Sequence, residues 1–153
     1  MTASGRDMSF DWELQDTGKH QDHVIAHVIG ATVLGYFEFD QAAHLILDIG
    51  FIWTIFLDGE MGLVPQTMAI SELELSAEAK AELRADLRAL DVDGCDAQGL
   101  ARITPAPAGC LVTEVSFHAR ASRCRLLITG EETSLEIVTS LETGEIHLAA
   151  VER

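Results

Sequence analysis

Three histidines, His20, His23 and His27, fall within one stretch, KHQDHVIAHVIG, residues 19 to 30. Imidazole is a favoured ligand for zinc and other transition metals. Three imidazoles and one water make the open coordination of a catalytic zinc site. On a helix these positions are spaced i, i+3 and i+7, so all three rings would share one stripe, and Gly30 would stand where helices commonly end. The residues between them point the other way. HVIAHVI holds four β-branched residues in seven, and such residues favour a strand. In a strand His23 and His27 share a face, while His20 belongs to the preceding loop. His44 and Asp48 would lie on that same face of the neighbouring strand, several rungs away from His27. The spacing matches no established ligand motif such as H-E-x-x-H. The strand reading is the one taken, with surface or internally bonded histidines and no cofactor. Its alternative is a small metal-dependent hydrolytic enzyme that holds zinc, or another divalent transition metal, on His20, His23 and His27.

A second cluster is HARASRCR, residues 118 to 125, the only basic island in the chain. Arg120, Arg123 and Arg125 are candidate anion ligands, because a guanidinium meets a carboxylate or phosphate with two parallel N–H groups. No Gly-rich loop or helix N-terminus accompanies them. Charge on a strand edge is also a common guard against aggregation, and that reading is preferred. Cys124, between Arg123 and Arg125, is the one cysteine in an electropositive setting. Cys95 sits beside acids, and Cys110 opens an apolar strand. The odd count, without a C-x-x-C pair, argues against a disulfide framework or a cysteine-rich zinc module. A reducing cytoplasm is the simplest home.

The carboxylates offer less. Asp91, Asp93 and Asp96 are spaced loosely like a calcium loop. Cys95 stands where that pattern wants Asp or Asn, and no glutamate occupies its twelfth position. Asp58, Glu60 and Glu72 could pair, but a hairpin turn accounts for Asp58. No G-x-S-x-G elbow, phosphate-binding glycine loop or Cys–His nucleophile pattern is present.

The elements that must carry these groups follow from charge and periodicity. The chain has 153 residues, with 25 acidic and 10 basic side chains and a net charge of −15. Such a surface repels phosphate backbones and anionic membranes. The opening MTASGRDMSF lacks the apolar core of a signal peptide, and residues 1–9 are expected to be disordered. AHLILDIGFIWTIFL, residues 43 to 57, falls short of the ~20 residues of a membrane helix and reads as buried strand.

FDWEL alternates and reads as a short strand or an arm docking by its rings. Residues 24 to 39 read as strand, with Gly30 and Gly35 marking bulges or close packing. Asp40-Gln41 is a turn, and Asp58-Gly59 is the strongest hairpin signal. Met61 to Val64 returns as a third strand, stopped by Pro65. Turning at Asp40-Gln41 sets Phe37 opposite His44 and Val33 opposite Asp48. Both faces of this meander are then largely apolar, whereas an antiparallel sheet usually leaves one face polar. SAEAKAELRADLRAL, residues 76 to 90, is the main helix, with Ser76 as N-cap and a stripe of Ala79, Leu83, Leu87 and Leu90. From Cys110 onward, alternating segments form a second meander of four strands.

The fold class expected is therefore α+β: a first antiparallel β-meander, one main amphipathic helix at about 76–90, and a second antiparallel meander. Residues 10–153 form a single domain. The function expected is a cytoplasmic binding or interaction module of unknown ligand, active as a homodimer. The motive is the apolar face carrying Ile29, Val33, Phe37, Ile46, Ile52 and Phe56, which one narrow helix stripe cannot also cover. Soluble monomers rarely leave such a patch bare, and pairing about a twofold axis is the commonest remedy.

Overall fold

Residues 12–90 and 100–152 are described by the computed structural model. The expectations placed on residues 1–9, on Phe10 and on the Asp91, Asp93, Cys95 and Asp96 segment lie outside them. In chain order the elements are β1 (Glu13–Leu14), α1 (Lys19–Val28), β2 (Val33–Phe39), β3 (Ala42–Leu47), β4 (Phe51–Phe56) and β5 (Met61–Pro65). Then come α2 (Gln66–Glu72), α3 (Ala77–Leu90), β6 (Thr104–Pro105), β7 (Val112–Arg120), β8 (Arg123–Gly130), β9 (Thr133–Ser140) and β10 (Glu145–Glu152). All strand pairs are antiparallel and make two five-stranded sheets, ordered β5-β4-β3-β2-β6 and β1-β7-β8-β9-β10. The α+β class and the order of meander, helix, meander hold as expected.

The first hairpin turns at Asp40-Gln41. Both residues have positive φ, 54° and 59°, as a two-residue type I′ turn requires. At Asp58-Gly59 the chain turns again. Phe56 and Glu60 are joined by a 2.8 Å backbone bond, and Gly59 has φ +91°. That is a three-residue loop closed by a glycine in the left-handed region.

The two sheets face each other across one apolar core. Leu45, Leu47, Trp53 and Ile55 of the first sheet meet Leu126, Ile128, Leu135 and Ile137 of the second. Helix α1 closes one side of this sandwich with Val24 and Val28. A second core lies on the outer face of the first sheet, where α2 and α3 cover it with Ile70, Leu83 and Leu87. The layers thus run sheet, sheet, helices. Strand β3, AAHLIL, is buried at every position because both its faces are covered. Each fully buried leucine or isoleucine in these layers contributes about 1.5–3 kcal/mol.

This arrangement corrects the expected interface. Phe37, Ile46 and Ile52 form the floor of the second core, beneath the chain's own helices. Val33 is buried on the opposite side, in the sandwich core. It pairs with Leu47 rather than Asp48, since Leu34 is an extra residue in β2 and shifts the register by one. One such bulge moves every residue before it to the other face. Only Ile29, at 42% exposure, and Phe56, at 44%, remain open to solvent.

The second correction is α1 itself. Residues 19 to 28 are a helix, despite their β-branched content. The positions that face inward are Gln21, Val24 and Val28, spaced i, i+3 and i+7, as burial of one helical stripe demands. Gln21 fixes the start of the helix. Its Oε1 accepts from Gly18 N–H at 2.9 Å, and its Nε2 donates to the Gly59 carbonyl at 2.7 Å.

Candidate functional site: a histidine-lined groove beside a sheet edge

Because α1 buries its valines, its histidines point outward on one stripe. His20, His23 and His27, with Val24, form one wall of a groove of about 360 Å³. Ile49, Phe51 and Leu63 form the other wall. Most of this lining is apolar. Ile49 is 46% exposed, and Ile29, the residue after α1, is exposed as well.

The three imidazoles are not equivalent. His20 Nε2 donates to the Met61 carbonyl at 2.9 Å, which ties the helix to the outer edge of β5. His23 and His27 are both exposed and touch edge to face, with ring centres 4.8 Å apart and planes at 79°. Among the described residues no three His, Cys, Asp or Glu side chains converge where they could share a metal ion. The alternative reading, a zinc site on all three histidines, therefore does not fit this geometry, since a catalytic zinc takes three protein ligands.

β5 is the last strand of its sheet. Its hydrogen-bonded partners alternate, and Phe56 N bonds Glu60 O at the hairpin end. By that alternation Met61 and Leu63 turn their backbone groups away from β4. His20 meets the Met61 carbonyl. The N–H and C=O of Leu63 face the groove side of the edge, with no partner among the described residues. The groove thus joins apolar walls to an open pair of backbone groups.

The remaining candidates are engaged within the fold. His44 is buried, stacked on Phe37 with ring centres 4.7 Å apart and 3.0 Å from Thr54 Oγ1. Burial lowers its pKa. It lies on the helix-covered face of the sheet and does not meet His27. Asp48 accepts from Thr32 N–H at 2.9 Å, a loop tie. In the basic island, Arg125 is paired with Glu136 on β9. Arg123 lies over the Trp12 ring, 5.7 Å from its centroid. That contact docks the β1 arm, as the aromatic reading of FDWEL anticipated for Trp12. Arg120 faces Arg123 across the β7–β8 turn. The polar depression beside Arg123 also carries Glu142 and Glu145, which would repel an anion. His118 is held below the usual histidine pKa by burial and by Arg125. Burial pushes the Cys110 thiol up, away from reactivity. Asp58 accepts from Glu60 N–H in its turn. With Glu60 it borders a shallow depression near Phe56 and Leu141, which Glu72 does not line.

Sequence reasoning missed the groove's second wall and two buried polar residues. Gln21 and Asp86 are 8% and 3% exposed. Asp86 accepts from the backbone N–H groups of Ala101, Arg102 and Ile103 at 2.8–3.0 Å. A signal for Asp86 existed: it falls within the Ala79, Leu83, Leu87, Leu90 stripe, where a carboxylate must have a partner. No comparable signal marked Ile49, Phe51 and Leu63, which meet α1 only through the tertiary fold. Compared with known proteins, the chain matches no family model, no curated protein and no solved structure.

Proposed function

We propose that this chain is a non-catalytic binding module whose seat is the groove between α1 and the β5 edge, built to take an extended polypeptide segment. The observation that carries this reading is the outward-turned N–H and C=O of Leu63, without a partner among the described residues, beside walls made of Val24, Ile49 and Phe51. An added strand gains affinity from main-chain bonds to such an edge and specificity from side-chain pockets beside it. The first candidate occupant is a second copy of the chain, because Ile29, the residue after α1, and Ile49, in the groove wall, stand exposed and would be covered by it. The homodimer expected from the sequence is thereby kept, on a different surface.

The alternative, a metal-dependent hydrolase on His20, His23 and His27, has less support. The Met61 carbonyl holds one ring, and no third ligand joins the other two among the described residues.

Two measurements test the seat. Light scattering at micromolar concentration should give a mass above the monomer that falls to the monomer in Ile49→Asp and in Leu63→Pro, which deletes the outward N–H. Selection of linear peptides from a displayed library should enrich sequences whose binding the same two variants abolish. Either result supports the seat. A monomer that enriches no peptide, or binding that survives both substitutions, overturns it.

A further inference from the structure

We propose that His23 and His27 form a two-toothed seat for one divalent transition-metal ion on the open face of α1. This goes beyond the reading of the groove as a peptide seat and does not depend on it. The two residues are spaced i, i+4 on a regular helix. Neighbours at that spacing sit one above the other on the helix surface. The geometry is close to what a shared ion needs. With metal–nitrogen distances of about 2.0–2.1 Å, two imidazoles on one ion have ring centres roughly 4.5–5.3 Å apart. Here the centres are 4.8 Å apart, and the planes cross at 79°, so the rings are not locked in a stack. Both side chains are exposed, and each ring can turn one nitrogen toward a common point without disturbing the core.

His20 stays outside this pair. Its Nε2 hydrogen is given to Met61 O, a bond that also holds α1 against the sheet edge. The seat therefore supplies two ligands, and the ion's other positions open toward water and the groove. A site with two exposed imidazoles and no enforced geometry ranks ions by intrinsic affinity, which places copper(II) ahead of nickel(II) and zinc(II). The role that follows is capture of a transition-metal ion at the surface, with coordination positions left for a further donor.

The experiment is isothermal titration of tag-free protein with copper(II), nickel(II) and zinc(II) salts alone. One ion per chain is expected, with copper(II) tightest. His23→Gln and His27→Gln should each lower the affinity by roughly tenfold or more, because a single imidazole loses the advantage of the linked pair. His20→Gln and His147→Gln should leave it essentially unchanged. The electron paramagnetic resonance spectrum of the copper(II) form should show coupling to two nitrogens, reduced to one in either pair variant. Circular dichroism of the variants confirms that the helix survives the exchange of an exposed side chain. No binding of any of the three ions, or an affinity that survives both pair substitutions, overturns the proposal. So does an affinity that falls as much with His20→Gln as with His23→Gln.

Discussion

His44 stacks on Phe37 at a plane angle of 16° and shares a hydrogen bond with the Thr54 hydroxyl. Burial disfavours its charged form and holds its pKa below the usual histidine value, against smaller opposing effects of the Phe39 backbone and Asp40. The folded chain thus binds fewer protons at this ring than the unfolded chain does. Its contribution to stability is intact above the unfolded value, near 6.5, and is lost as pH falls below it toward the lowered folded value. His118 works in the same direction, through burial first and Arg125 second. The thermal midpoint should therefore drop between about pH 7.5 and pH 5.5, the span around the ordinary histidine range. His44→Gln carries no proton there and should flatten that drop. Equal slopes for wild type and variant would contradict the assignment. The pairing of His44 with Phe37 was legible from the Asp40-Gln41 turn, because a two-residue loop sets the register of both strands. The neutral role of His44 was not legible, since it depends on α2 and α3 covering that face. His20 was less legible still. Its partner is a carbonyl on β5, and no local spacing encodes that contact.

For whole elements, the strands and α3 were readable because local pattern and tertiary burial agree. Ser76 accepts from Ala79 N–H at 3.1 Å, as an N-cap does, and Leu83 and Leu87 are buried as the stripe predicts. Pattern and burial disagree at α1. Strand propensity is worth a few tenths of a kcal/mol per residue, whereas burying Val24 and Val28 is worth about 1.5–3 kcal/mol each. Burial wins. The bulge at Leu34 is a second failure of local reading, and it exchanged the faces of Val33 and Leu34. Gly35, beside it, has Ile103 Cγ2 2.7 Å and the Thr104 carbonyl 3.0 Å from where a Cβ would stand. Gly35→Ala must push β6 away and should cost about 1–3 kcal/mol. Asp86 binds α3 to residues 101–103 with three backbone bonds. Asp86→Ala would leave those donors without their acceptor and should cost about 2–4 kcal/mol, more than Leu87→Val on the same stripe. Urea unfolding would show this as a lowered midpoint with an unchanged slope. A loss under 1 kcal/mol would mean that water replaces the carboxylate at little cost.

Across the whole molecule, each sheet edge is met by something other than a full strand. β1 and β6 are two residues long. On β10, the Leu148 N–H is taken by Glu38 Oε2 at 3.1 Å, a charge set against the edge. On β5, His20 takes the Met61 carbonyl. Short edges and inward charges are the usual defences against strand-to-strand aggregation, and neither covers Leu63 on β5. Over this frame lies a net charge of −15. Ion pairs among the described residues include Arg102 with Glu82 and Arg125 with Glu136, and the His147 ring lies 3.5 Å from Glu145. The first and last are exposed, and such pairs contribute about 0–1 kcal/mol. Salt weakens these attractions and the mutual repulsion of the surplus acids alike. Acids outnumber bases 25 to 10, so the loss of repulsion should dominate. Raising the ionic strength from about 0.01 M to about 0.15 M shortens the screening length from about 30 Å to about 8 Å. The thermal midpoint should rise over that range, and any self-association at the groove should strengthen with it, because each added copy brings the same charge. Calorimetry and light scattering on one salt series measure both. A midpoint that falls with salt would show that paired attractions, Arg125 with Glu136 first among them, outweigh the repulsion of the surplus acids.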